Sequence, residues 1–458
     1  MPQAQQVPQS GVGLFDGKNR ERDPVISLPG NLIACPDCDQ LQRIPSLPPG
    51  GKARCPRCGK VVAAHKPDSL DRTLALTVGA AIAFIVANVM PVMGLSAVGH
   101  TTSTTIIGGA YTMWVQGERM TGLLVGFCVV VAPAVQIGFM LAVLIAVRRL
   151  PAPSWAGTLL RWAEKHEPWA MVEVMMLGIL VSLVKIAELA AVIPGVGMFS
   201  VGALILLLSA MAVTFNPDEA WGRIRWANRE GPPASDPGTE EESRRMKPGP
   251  RTGAQAGLIL CESCGLLCRA AHAEEPGHCP RCGEELALRR HNSIQRTWAF
   301  IIAAAICYLP ANILPVMITT ALGAPEEDTI ISGVILLYTT GSWHLSLIVL
   351  IASVMIPLGK LIALSYLLIT VQRGSLQSNR ERGRLYRLIE IVGRWSMLDV
   401  FVATFVVALI QLQPLMSVMP GTGVLFFAAV VVLTMLGAES FDPRLIWDSR
   451  KERLEQDD

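Results

Sequence analysis

Charge is scarce in this chain. Only 17% of its 458 residues are Asp, Glu, Lys or Arg, against roughly 25% in ordinary soluble domains. The formal net charge is +2, so there is no broad basic surface of the kind a nucleic-acid binder uses. No G-x-x-x-x-G-K-[ST] loop occurs, which removes P-loop nucleotide chemistry from the candidates. The first 70 residues are polar and rich in Pro and Gly, which reads as no N-terminal signal peptide.

Apolar runs stand where the charge is missing. Hydrophobic residues make up 51% of the chain, residues 122–147 carry no charge, and 345–371 carry only Lys360. Both runs exceed the roughly 20 residues that cross a bilayer. The expectation is a polytopic membrane protein.

The chain is one unit written twice. ANVMPVM at 87–93 returns as ANILPVM at 311–317, and WAMVEV at 169–174 as WSMLDV at 395–400. PGVG at 194–197 returns as PGTG at 420–423, and FNPDEAW at 215–221 as FDPRLIW at 441–447. Each half reads as four apolar spans, with the Asn-x-x-Pro motif breaking the first and an ordinary tight Pro-Gly turn before the last. The fold expected is an all-α polytopic membrane protein, two tandem four-helix modules with eight spans, each module preceded by a small ribbon. The divisions are a disordered tail 1–30, ribbon 31–66, module 67–227, linker 228–257, ribbon 258–292, module 293–448 and tail 449–458.

Orientation follows from the basic loops. Arg148, Arg149, Arg161 and Lys165 lie between the second and third spans, and Arg373, Arg380, Arg382, Arg384, Arg387 and Arg394 in the corresponding loop. The loops on the other side are poor in base: 94–121 has only Arg119, and 318–344 has none but carries the acids Glu326, Glu327 and Asp328. The positive-inside bias puts the basic loops, both ribbons and both termini in the cytoplasm. The halves are parallel repeats.

Eight of the eleven cysteines form two clips of the form Cys-x2-Cys…Cys-x2-Cys: Cys35, Cys38, Cys55 and Cys58, then Cys261, Cys264, Cys279 and Cys282. Paired knuckles suit tetrahedral Zn²⁺ in a closed structural site, two ions in all. Iron accepts the same ligands. Cys128 and Cys307 read as small buried hydrophobes, and Cys268 as a spare.

Charges inside apolar runs are costly, by about 2.5–3.5 kcal/mol on insertion scales, and point to function. Lys360 is the clearest, and Gln136 takes its place in the first half. Asp399, matched by Glu173, lies about one turn inside its span, where it serves either as a functional acid or as a partner of Arg394 or a helix N-terminus. Lys185 and Glu188, three apart, can pair. Ser353 lies two helical turns before Lys360, and Thr434 falls in the last span; hydroxyls there often bond only to their own helix.

GRWSMLDVF at 393–401, ANILPVM at 311–317, PLGK at 357–360 and FDPRLIWD at 441–448 resemble the paraquat-inducible protein A family, over residues 35–448. The resemblance implies a transporter rather than an enzyme, in the inner membrane of a two-membrane bacterium. It implies lipid, phospholipid or another, moved to or from a periplasmic MCE-domain tunnel partner, with the proton gradient as the driving force. The polar network it implies is Ser353, Lys360, Asp399 and Thr434, with Lys185 and Glu188 from the first half. Gln136, Glu173 and Asn216 depart from the family pattern. Two other functions fit the residues: a non-transporting anchor or regulator of an MCE tunnel, and a redox protein with iron in the clips.

Overall fold

The sequence repeat returns as a repeat of elements. The computed structural model describes residues 5–6, 32–91, 93–97, 100–115, 119–149, 152–166, 191–224, 252–269, 277–321, 324–339, 341, 343–375, 378–395, 411–412 and 416–448. The first half runs through an opening helix Ser69–Val89, a hairpin (Met93–Ala97 and His100–Thr104), a short helix Ile106–Val115, and a middle helix in three pieces. Those pieces are Arg119–Gly126, a π-turn Phe127–Val131, and Ala132–Val147. An interfacial helix Ser154–His166, a strand Ala191–Pro194 and a closing helix Val196–Thr214 follow. The second half repeats this order: Ser293–Ile313, Met317–Ala321 with Ala324–Asp328, Ile330–Thr339, the middle helix Trp343–Leu350, Ile351–Met355 and Ile356–Gln372, then Asn379–Trp395, Met416–Pro420 and Gly423–Ser440.

Among the described residues, five helices are long and apolar enough to cross a membrane: Ser69–Val89, Val196–Thr214, Ser293–Ile313, Ser346–Gln372 and Gly423–Ser440. Ala132–Val147 is apolar but shorter. The third span expected in each half falls on 167–190 and 396–410, outside the described residues. In both halves the opening helix packs along the closing helix and against the middle one. The second-half core gathers Leu364, Leu367 and Leu368 of the middle helix with Ile301, Ala304 and Phe441.

Four expectations are corrected. The chain is mostly helical rather than all-α. The loops at 94–121 and 318–344 contain Thr-rich hairpins, in keeping with the β preference of branched residues, and each hairpin pairs with the strand before the closing helix. Met93 lies opposite Pro194, and Met317 opposite Pro420. The Asn-x-x-Pro motif ends the opening helix instead of breaking it. Proline pushes the preceding residue out of the helical region, and Met90 and Leu314 are extended, with ψ of 148° and 150°. Asn88 and Asn312 donate back to the carbonyls of Phe84 and Tyr308 at 2.9 and 2.8 Å. The basic loops fold into the interfacial helices. In the second, Arg382, Tyr386, Ile389 and Gly393 form a buried stripe at helical spacing.

The fourth correction concerns the Pro-Gly turns, which are contact points. Gly197 and Gly423 donate their N–H groups to the carbonyls of Pro91 and Pro315 at 3.0 and 2.9 Å. A Cβ at either glycine would stand 2.7 Å from the carbonyl oxygen of Met90 or Leu314. Gly197→Ala and Gly423→Ala are each expected to destabilise by about 1–3 kcal/mol, as overpacking does. A thermal unfolding midpoint unchanged in detergent would contradict this close packing.

Candidate functional site

All four knuckles of the clips are built alike. In each, the residue after the second cysteine has positive φ and donates its N–H to the carbonyl of the first: Asp39, Gly59, Gly265 and Gly283, at 2.8–3.0 Å. The turn carries the chain back so that both sulfurs face one point. The Cys35 and Cys58 sulfurs lie 3.5 Å apart, Cys38 and Cys55 3.6 Å, and both pairs of the second clip 3.5 Å. A tetrahedral ion with metal–sulfur bonds of about 2.3 Å needs sulfurs about 3.8 Å apart, so these donors fit such an ion. The neighbouring thiols and burial push Cys38 and Cys264 up, whereas hydrogen bonds from the same neighbours pull Cys55 and Cys279 down. Four thiolates this close would need a cation between them, and the four sulfurs of each clip are placed to hold one.

The two clips form one body. Ala34 and Leu41 share a small core with Leu258, Leu260 and Leu267. Residues 252–257, expected to end a disordered linker, are ordered, and Gly253 donates to the Asp39 carbonyl at 2.7 Å. Asp39 holds a left-handed position where the other three knuckles have glycine. Its carboxylate accepts from Arg289 of the second clip at 3.1 Å and from the Ala254 N–H at 3.0 Å. Arg289 also forms a bidentate pair with Asp448.

Nearby, Asp442 and Arg444 form a buried pair with contacts of 2.7–3.1 Å, and Arg444 reaches Glu262 at 2.7 Å. Burial alone would raise the Asp442 carboxyl, but the hydrogen bonds and charge of Arg444 outweigh it and hold the group below its usual value. A depressed carboxyl stabilises the fold fully above about pH 4 and loses that contribution as pH falls through its folded value. Asp442→Asn at neutral pH should cost about 2–4 kcal/mol, because it leaves the buried Arg444 with only the half-exposed Glu262 as counter-charge. An unfolding midpoint equal to wild type down to about pH 4 would disprove that assignment.

The second site lies inside the second half. Lys360 is 3% exposed, and its Nζ donates to Thr434 Oγ1 at 3.1 Å, while that hydroxyl donates to the Val431 carbonyl at 3.0 Å. Ser353 is fully buried, and its hydroxyl has no hydrogen-bond partner among the described residues. Ser353 sits in the π-turn Ile351–Met355. Pro357 explains the turn, since it has no N–H for the carbonyl four residues back and its ring crowds that carbonyl. A widened turn relieves the clash, and such turns often mark functional positions. Tyr308 donates to the Val354 carbonyl, also in the turn, at 3.3 Å. The interfacial helix closes the site: a Cβ on Gly393 would lie 3.7 Å from Lys360 Cε.

The structure therefore joins two of the expected network residues, Lys360 and Thr434, and places Ser353 in the buried π-turn of the same middle helix. Asp399, Lys185, Glu188 and Glu173 lie outside the described residues. Sequence reasoning missed Tyr308, Gly393 and Asp39. The π-turn was signalled by Pro133 and Pro357 at matching places. The first half has Phe84, Val129, Gln136 and Leu208 where the second has Tyr308, Ser353, Lys360 and Thr434. Gln136 is buried, so the first-half position that matches Lys360 carries no charge.

The model of the paraquat-inducible protein A family matches residues 70–225 and 294–451. The chain is 32% identical to the intermembrane transport protein PqiA of Escherichia coli over 92% of this chain and 96% of that one. It is 31% identical to lipophilic envelope-spanning tunnel protein A of the same organism, over 92% of each. A probable intermembrane transport protein of Haemophilus influenzae is 28% identical over 92% of this chain and 97% of its own. No solved structure matches. With two matched regions that repeat one element order, the chain belongs to the paraquat-inducible protein A family.

Proposed function

We propose that this chain is the inner-membrane subunit of a lipid transport system. Each half contributes four spans, for eight in all, and the clips and both termini face the cytoplasm. Lipid, phospholipid or another, passes between the membrane and a periplasmic MCE-domain tunnel protein, with the proton gradient as the driving force. The names of the relatives support intermembrane transport. The observation that carries the proposal is the buried ammonium of Lys360, which donates to the Thr434 hydroxyl inside an apolar span. Such a cation inside an apolar span has no structural use that an apolar side chain would not serve better. Asp399 is assigned as the acid that exchanges a proton with this site, and Lys185 with Glu188 as the first half's contribution.

Each clip would hold one Zn²⁺ as a closed structural ion through four thiolates, with no open position for chemistry. Chain deletion should weaken the outer-membrane barrier and increase sensitivity to large hydrophobic compounds, and a plasmid copy should restore it. Labelling of single introduced cysteines at the exposed positions 380 and 384, near Arg382, should report the cytoplasmic side, and at positions near Glu326 the periplasmic side. Periplasmic labelling at 380 and 384 would overturn the topology, and an unaltered barrier in the deletion would remove the transport reading.

A further inference from the structure

Each clip, besides its contacts with its own half, touches the tryptophan and the interfacial helix of the opposite half. Trp447, which follows the closing helix of the second half, packs against the four cysteines of the first clip. Its ring also carries the Arg57 guanidinium 4.7 Å from its centroid and lies 3.7 Å from where a Cβ of Gly383 would stand on the interfacial helix. Trp221, its counterpart in the first half, packs in one cluster with Cys261, Cys264 and Cys279 of the second clip. It presses on Gly157 of the first interfacial helix, where a Cβ would stand 3.0 Å away. The arginines repeat the pattern. Arg387 donates to the Cys58 carbonyl at 2.8 Å, and Arg161 pairs with Glu284, just past Cys282. All three matches share one offset: 447 − 221, 383 − 157 and 387 − 161 each equal 226. The crossing is a property of the repeat.

The interfacial helix of the second half thus touches the first clip at Arg387 and walls Lys360 at Gly393, less than two turns further on. We propose that the metal ion of each clip clamps the interfacial helix of the opposite half, so that occupancy of the first clip fixes the helix that closes over Lys360. An ion-loaded knuckle keeps the Cys58 carbonyl and Asp37 in place for Arg387. Asp37 is itself held by Lys60 at 3.0 Å. Without the ion the four thiols no longer define the loop, and the helix loses its anchor. The consequence for Lys360 rests on the transport reading above, whereas the clamping does not.

Hydrogen–deuterium exchange on the full-length protein in detergent tests this directly. Cys58→Ser should speed exchange in the 379–395 helix roughly tenfold, as expected for the loss of charge-assisted hydrogen bonds, and leave 154–166 near wild type. Cys282→Ser should do the reverse. Trp447→Ala and Arg387→Ala keep every metal ligand, so they should retain two ions per chain and still loosen 379–395. If Cys58→Ser loosens 154–166 instead, or both helices equally, or neither, the crossed clamp is wrong. Unchanged exchange in Trp447→Ala and Arg387→Ala would also overturn it. None of these readouts depends on lipid movement.

Discussion

Lys360→Met is expected to abolish transport while leaving the protein as stable as wild type, or more so. Methionine fills nearly the same volume with an apolar chain, so the swap opens no large cavity. It also removes a cation whose cost inside a span is about 2.5–3.5 kcal/mol. Loss of function with retained stability would separate chemistry from folding. Thr434→Val, which keeps the shape and removes the hydroxyl that Lys360 donates to, should reduce function strongly. Gln136→Met, at the matching place in the first half, should be tolerated. The checks are complementation of a deletion strain for outer-membrane integrity, with protein level and unfolding midpoint measured alongside. Full complementation by Lys360→Met would favour the reading of the chain as an anchor for the proposed partner.

Removing the metal should have the second largest effect. Elemental analysis should find two zinc ions per chain, and extraction of both should unfold the joined clips. Their shared apolar core is small, with Ala34, Leu41, Leu258, Leu260 and Leu267 as its buried members, so bound ions would supply most of the folding energy. Structural zinc in small domains supplies about 10–16 kcal/mol near neutral pH. Limited proteolysis after chelation should cut within 32–64 and 258–286 before it cuts the apolar helices. Two coloured iron centres per chain would point to the redox reading instead, and apo-protein with undiminished protease resistance would show the clips to be self-supporting.

Much of this was legible in the residues, for physical reasons. Cysteine spacing reveals the clips because a knuckle is a local structure. The duplication is visible because matching motifs recur at nearly constant offset. Lys360 stands out because a charge in an apolar run has few structural excuses. The hairpins were harder to see, since their strands span five residues each and sit between stronger helical signals. The crossing of the clips was beyond reach: Arg387 meets Cys58 across 329 residues, and nothing local in either segment names the other. Gly393 likewise looks like a weak point in a helix until Lys360 is seen beside it. Asp39 shows what spacing alone conceals. It takes a glycine's place in a knuckle because its carboxylate joins the clips through Arg289.

The most direct measurement is lipid transfer from proteoliposomes that contain the purified chain with the proposed tunnel partner, read with a fluorescent phospholipid under an imposed pH gradient. Wild type and Gln136→Met should move lipid faster with the gradient than without it, and Lys360→Met should show no gradient-dependent transfer. Gradient-driven transfer by Lys360→Met at the wild-type rate would contradict the assignment of this site.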